Sequence, residues 1–339
     1  MKLAIHNRLG SFSDGWIKYC QENKIPFKIV NCYDNDIIDQ LEDCDGLMWH
    51  WDQNDYRAPL FARQLTIALN KKNIKVFPDI NTSWHFDDKL GQKYLMEALG
   101  APYVKSYVFY TKKEALQWIK TTSYPKVFKQ RGGASGINVL KVENSFHAKK
   151  LISKAFGNGF THFNRKTRIK DKLWLLKRDK NLKALKGLIK GIIRLFVRSE
   201  LEKLSSNDKG YIFFQEFIPN NTFDTRYIVV GNRCFGTRRY CRPGDFRASG
   251  SGLYDNSPNI FDKRCIQIAF DIAKKIDAQS IAFDFLWKED MPVICEISYI
   301  YCRDIIANCD GYWDEELNWI KTEINAEKFI IQDFINSMK

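Results

Sequence analysis

Within the first eighty residues, short β-type runs alternate with helical patterns, and no other feature restricts the fold as strongly. Lys2–Asn7, Phe27–Cys32, Gly46–Trp51 and Ile74–Pro78 read as strands, while Asp14–Asn23, Ile37–Glu42 and Tyr56–Lys71 carry helical spacing between them. That order predicts a small parallel α/β unit. Ligands bind such units beyond the carboxyl ends of the strands, which points to the loops after Asn7, after Trp51 and around Asn81 to Phe86.

A helix is expected over Asp87–Gly100, followed by a strand at Ser106–Tyr110, a helix at Lys112–Lys120 and a strand at Lys126–Gln130 that runs into RGGASG. A further strand, Ile137–Val142, leads to a helix at Ser145–Phe156. Tyr211–Ile218 reads as an apolar strand, and Thr225–Gly231 with Arg233–Cys241 as a hairpin turning at Gly231-Asn232. A helix near Phe261–Ile276 precedes two strands, Ser280–Trp287 and Pro292–Ser298, joined by the polar turn KEDM.

At 339 residues the chain is long enough for two or three domains, and 45% apolar residues are enough for a substantial core. The start lacks the long apolar core of a signal peptide and no segment offers a spanning helix, so a soluble cytoplasmic protein is expected. Nine scattered cysteines without a CxxC pair read as reduced thiols rather than disulfides or a zinc site. The net charge of +13 is unevenly spread: 161–203 holds fourteen Lys/Arg against four Asp/Glu, an excess of ten.

Three stretches carry chemistry. In YPKVFKQRGGASG a strand delivers Lys129 and a small-residue loop follows, whose backbone N–H groups can approach phosphate oxygens because few side chains intervene. The spacing is neither a Walker loop nor GxGxxG. Asp284 and Glu296 sit inside the apolar runs IAFDFLW and PVICEIS, on strands expected to pair. Acids so placed are paired, bind metal or sit on a solvent-facing side of the strand pair, and two carboxylates a few ångströms apart suit Mg²⁺. QEFIP at Gln215–Pro219 precedes Asp224 and Arg226, then Arg238, Arg239, Arg242 and Arg247, whose planar forks suit phosphate and carboxylate.

In this order the stretches resemble the ATP-grasp superfamily, in particular its glutamate ligase and glutathione synthetase-like branch, over most of the chain through Glu296. The resemblance implies an α/β (α+β) fold: an N-terminal parallel α/β domain over 1–86, a linker helix and small clamp subdomain over 87–218 with a basic helical insert at about 161–206, and a C-terminal subdomain with a metal site over 219–339. It further implies ATP and Mg²⁺ as cofactors. Lys89 and Lys129 look like the nucleotide lysines, and Gly132, Gly133, Ser135 and Gly136 like the loop that closes over the phosphates. Gln215, Glu216, Phe217 and Ile218 look like the adenine-reading hinge, with Glu216 near the amino group, and Asp224 like the ribose-side acid. Arg226 and Arg247 look like the catalytic arginines, and Asp284, Glu296 and Ser298 occupy the metal-ligand positions. Ser298 stands where the family's pattern has asparagine, and a hydroxyl is a shorter, weaker metal ligand.

The activity so implied is ATP-dependent carboxylate–amine ligation through an acyl-phosphate, with small-molecule carboxylate and amine substrates. Amide-linking an amino acid to a sugar acid in surface polysaccharide synthesis is the first substrate expectation. The alternatives are a peptide or small-metabolite amino-acid ligase and a nucleotide-binding module without ligation. Ser11, Ser13, His50, Trp51, Asp52, Trp84 and His85 are the substrate-side candidates, with packing in the core as the competing reading. In the basic insert Leu182, Leu185, Ile189, Ile192 and Phe196 recur at helical spacing beside Lys183, Lys186, Lys190, Arg194 and Arg198. That stripe either packs on the clamp or docks on an anionic membrane surface or acidic polysaccharide, making the protein peripheral to the membrane; the segment lacks the interleaved aromatics of a nucleic-acid site.

Overall fold

The computed structural model describes residues 1–133, 136, 138–161, 165–197, 202 and 207–339, leaving aside the side chains of 165–168, 183 and 194–196. Ser135, Arg198 and the side chains of Lys183, Arg194 and Phe196 therefore lie outside the described residues.

Four strands, β1 (Leu3–His6), β2 (Phe27–Val30), β3 (Gly46–Met48) and β4 (Lys75–Phe77), form an all-parallel sheet in the order β2-β1-β3-β4. The helices α1 (Ser13–Glu22), α2 (Ile37–Gln40) and α3 (Ala58–Lys71) connect them, as the alternation predicts. Two helices follow, α4 (Ile80–Ser83) and α5 (Lys89–Ala98). Asp88 caps α5 by accepting from the Leu90 and Gly91 amides, which fixes Lys89 in the first turn.

A four-stranded antiparallel sheet, ordered β5-β8-β6-β7, contains β5 (Ser106–Phe109), β6 (Lys126–Lys129), β7 (Leu140–Val142) and β8 (Ile212–Glu216). Helices α6 (Lys112–Trp118) and α7 (Ser145–Ala155) cover one face, burying Phe128, Phe214, Val142 and Ile152 in a single cluster. Each such side chain contributes about 1.5–3 kcal/mol on leaving water. Between β7 and β8 the basic insert is a helical hairpin, α8 (Arg165–Asp179) and α9 (Leu182–Phe196).

The third sheet has seven strands. Its main path is β13-β12-β9-β10-β14-β15, with β11 (Tyr254–Asp255) pairing β10. These are β9 (Phe223–Val230), β10 (Arg233–Tyr240), β12 (Ser280–Lys288), β13 (Met291–Ser298), β14 (Gly311–Trp313) and β15 (Trp319–Lys321). Helix α10 (Lys263–Ile276) packs Ile266 and Phe270 beneath it, together with Met96 of α5. Helices α11 (Arg303–Ile306) and α12 (Ala326–Asn336) complete the chain. Residues of α12 share one core with Leu3, Ile5 and Trp16 of the parallel unit and Ile228, Val230 and Phe235 of the large sheet. All nine cysteines are free.

Candidate active site

Side-chain alternation decides what the two antiparallel sheets present to each other. On β6 and β8, Phe128 and Phe214 point into the helix-covered core, so Val127, Lys129 and Gln215 project from the opposite face. In the large sheet one row of paired positions runs Thr237–Arg226–Asp284–Glu296 across β10, β9, β12 and β13. Between the two faces lies a cavity of about 420 Å³. Every described residue of the predicted site set lines it except Gly132, which packs against Asp87 instead.

A β-bulge shapes the meeting point. Asp284 pairs with Glu296 but Phe285 pairs with Ile294, leaving Cys295 as the extra residue on β13. Its carbonyl accepts from Lys129 Nζ at 3.3 Å and from Gln215 Nε2 at 3.4 Å, so the bulge ties the small sheet to the large one. Burial pushes the Cys295 thiol well above its ordinary range, which leaves it a packing group.

The charged groups are interlocked. Lys89 Nζ lies 3.0 Å from Glu296 Oε1 and donates to the Gly133 carbonyl at 2.9 Å. Burial opposes the ammonium, but the charges of Glu296 and Asp87 outweigh it and raise the Lys89 pKa. For Glu296, burial works against the carboxylate, yet Lys89 and Lys129 overcome it and lower the pKa. Asp284 accepts from Arg226 Nε at 2.6 Å and from Nη2 at 2.8 Å, and from Arg239 Nη2 at 2.8 Å. Desolvation there is outweighed by the two guanidinium charges, which hold the carboxyl far below its usual range. Arg239 also grips Asp224 through both nitrogens, at 2.6 and 2.7 Å.

The glycine loop is bound at both described ends. Gly133 has φ 124° and donates to Asp87 Oδ1 at 2.7 Å; Gly136 has φ 68° and its carbonyl accepts from Arg247 at 2.9 Å. Both angles favour glycine. Arg247 is itself aligned by Asp245, at 2.7 Å.

Three side chains of the predicted set have protein partners of their own. The Glu216 carboxylate accepts from Lys126 at 2.8 Å and from the Tyr107 hydroxyl at 2.8 Å, so its charge is matched inside the small sheet while Oε2 keeps a further lone pair. Asp224 accepts from Arg239 once on each oxygen, so the guanidinium holds it in place at the cavity wall while each oxygen keeps a further lone pair. The Ser298 hydroxyl accepts from Ile300 N at 3.0 Å and donates to the Ile300 carbonyl at 3.0 Å, closing a local turn at the cavity wall. Sequence reasoning missed Lys126, Asp87 and the role of Arg239. The last was accessible: a two-residue turn at Gly231-Asn232 pairs Val230 with Arg233 and thereby sets Arg239 opposite Asp224.

Glu296 and Asp284 stand at directly paired positions on one sheet face, and their carboxylate oxygens, which here face Lys89, Arg226 and Arg239, are the donor type that fits a Mg²⁺ ion completed by phosphate oxygens and water. Among the described residues no group of three or more His, Cys, Asp or Glu side chains could hold a metal alone. Of the substrate-side candidates, His50 stacks on Phe12 at 4.1 Å, with burial pushing its pKa down to about 3, and Trp51 lies in the core against Phe86. From the loops beyond the parallel sheet, Gln53 and Phe86 line the cavity, and no residue of 8–13 does. Gln53 Oε1 is buried there without a hydrogen-bond partner.

A protein-family model for the RimK-like ATP-grasp domain matches residues 182–300. No curated protein sequence matches the chain. Among solved structures the chain is similar to a RimK domain ATP-grasp protein from Sphaerobacter thermophilus, at 14% identity and TM-score 0.58, covering 99% of this chain and 100% of that one. D-cycloserine synthetase matches at 12% identity and TM-score 0.59, with 100% of both chains covered. The biotin carboxylase domain of the Hydrogenobacter thermophilus 2-oxoglutarate carboxylase, solved with MgADP, matches at 13% identity and TM-score 0.57, covering 98% of this chain and 68% of that one. No described helix is long and apolar enough to cross a membrane.

Proposed function

We propose that this chain, which has the fold of ATP-grasp proteins and matches a RimK-like ATP-grasp domain model over residues 182–300, joins a small-molecule carboxylate to an amine at the expense of ATP, releasing ADP and phosphate. The observation that carries this reading is the cavity between the two antiparallel sheets, with Lys89 and Lys129 directed at the same space as Glu296, Asp284, Arg226 and Arg247. It is a site built for a polyanion with its counter-ions.

In this reading the backbone of Gln215–Ile218 reads the base, Phe217 and Ile218 provide the apolar wall, and Lys89 and Lys129 neutralise phosphate oxygens. Gly133 and Gly136 let the loop backbone approach those oxygens. Glu296 and Asp284 would hold Mg²⁺, which when bound supplies Lewis-acid charge neutralisation. Arg226 and Arg247 steady the transferred phosphoryl group while the substrate carboxylate attacks the γ-phosphorus and ADP departs. The amine then attacks the acyl carbon, phosphate leaves and a proton is lost to solvent. No side-chain nucleophile is required, in keeping with the buried His50 and Cys295.

For the substrate, the unpartnered Gln53 Oε1 and the Phe86 ring, both lining the cavity, favour a ligand that carries a donor and a flat or ring-shaped face. A sugar acid and an amino acid satisfy that description and are the first pair to try. The test is incubation with ATP, Mg²⁺ and pooled carboxylates and amines, followed by assay of ADP and of the mass of any condensed product. AMP and pyrophosphate in place of ADP would overturn the acyl-phosphate route.

A further inference from the structure

The hairpin α8–α9 uses one face of α9 for packing and leaves another bare. Toward α8 the helix presents Ala184, Gly187, Leu188 and Gly191; Leu188 is buried, and the stem of Lys172 lies over both glycines at 3.6–3.7 Å from where a Cβ would stand. Small residues there let the two helices approach closely. On the far side Leu182, Leu185, Ile189, Ile192 and Ile193 are 40–74% exposed, and Val197, the residue after the helix, is 60% exposed. At 100° per residue Leu182, Leu185, Ile189, Ile192 and Ile193 fall on one arc of α9, and the exposed Lys186 and Lys190 follow directly on one flank of it. A stripe of five large aliphatic side chains in water is costly in a folded protein, and such stripes mark interaction surfaces.

We propose that α9 docks in the headgroup layer of an anionic lipid surface, aliphatic stripe inward and lysines toward the phosphates. Charge and apolarity together select this occupant. An acidic polymer would pair with Lys186 and Lys190 but leave the stripe wet, whereas the boundary between headgroups and acyl chains receives both faces of such a helix. The surrounding segment, 161–203, has an excess of ten positive charges out of the chain's net +13, which draws it toward negative membranes before contact. The hairpin is also firmly seated: Trp174 Nε1 and Arg178 donate to the Ser251 carbonyl at 2.9 and 2.8 Å, and Asp171 pairs with Arg242. Those contacts grip the loop that carries Arg247, so a docked α9 holds the cavity near the lipid surface. The docking claim does not depend on the ligase reading.

The full-length protein is sedimented with vesicles of phosphatidylcholine alone and of phosphatidylcholine mixed with phosphatidylglycerol, at low and raised salt. The expected result is binding to the mixed vesicles only, weakened by salt. Ile189→Gln with Ile192→Gln, and separately Lys186→Glu with Lys190→Glu, are each expected to lower partitioning at least about tenfold with unchanged thermal unfolding, since all four side chains are exposed. Protein left in the supernatant with both vesicle types overturns the proposal. So does vesicle binding by the isoleucine variant equal to that of the parent, which means charge alone, or binding to dextran sulfate without binding to vesicles. Conversion of an oligomer to a monomer by the isoleucine changes, with no vesicle binding, assigns the stripe to a second copy of the chain instead.

Discussion

The Lys89 ammonium, at the first turn of α5, stands 3.0 Å from Glu296 Oε1 on β13 and so links the clamp's entrance to the acidic row of the large sheet. Glu296→Gln is expected to lower ATP turnover by a factor corresponding to about 2.7–4 kcal/mol, the usual value of one such electrostatic contact. The stability effect is smaller, because Glu296 is 31% exposed and Asp87 remains 3.9 Å from the lysine. Its pH dependence has a definite sign. The lowered Glu296 pKa contributes stability above the ordinary glutamate value of 4.5, lost as pH falls through the depressed folded value. The raised Lys89 pKa contributes below 10.5 and is lost only as pH rises beyond that. The difference in melting temperature between parent and variant should therefore be flat from about pH 6 to 9 and shrink in acid. A difference that grew on acidification would contradict the pairing.

Two lysines on one strand should separate cleanly. Lys129 faces the cavity, whereas Lys126 faces Glu216 with its ammonium almost wholly buried. Lys129→Ala is expected to abolish turnover, by about 2.7–4 kcal/mol, with near-parental thermal unfolding. Lys126→Ala leaves the partly buried Glu216 without its charge partner and should lower stability by about 1–3 kcal/mol while sparing more of the activity. Urea titration and ADP release on both variants decide it. The reverse pattern would mean the strand faces are misassigned.

Arg239 is shared by two buried acids, Asp224 and Asp284, and its removal leaves both undercompensated. Arg239→Ala should cost about 3–5 kcal/mol, seen as a fall in the urea midpoint. Arg239→Lys recovers only part of this because an ammonium cannot form the two-pronged contact. Adding Asp224→Asn to Arg239→Ala should be milder than Arg239→Ala alone, since it removes one of the stranded charges. Simple additivity of the two losses would show that they do not interact.

Ser298 closes a turn on Ile300 through its hydroxyl. Ser298→Ala should cost about 0.5–1.5 kcal/mol. Asparagine can accept from the same amide two residues on, so Ser298→Asn should fold as the parent does and, by offering an amide oxygen, lower the magnesium concentration that half-saturates ATP turnover. Magnesium titration of the turnover rate reads this out. A well-folded but inactive Asn variant would assign the serine a contact of its own with substrate.

Periodicity and spacing made most of the elements legible. The parallel unit emerged from its alternation, the hairpins from their turns, and the pairing of Asp284 with Glu296 from two apolar runs flanking KEDM. These are local or near-neighbour relations, where two residues a short loop apart have few ways to meet. Beyond Ser298 no such signal was read, and β14, β15 and α12 went unpredicted, although α12 closes the core shared by the parallel unit and the large sheet. The insert was legible as an amphipathic helix, but period alone is the same for a stripe that packs and one that stays in water; only its placement against α8 left the isoleucines bare. The site divides in the same way. Sequence identified which side chains are polar or charged, while tertiary structure decided which partners they take, pairing Glu216 with Lys126, Asp224 with Arg239 and the Ser298 hydroxyl with the Ile300 backbone. A residue's type fixes what it can bind, but which partner it takes depends on distances of a few ångströms between strands far apart in the chain, and those are set only when the sheets pack.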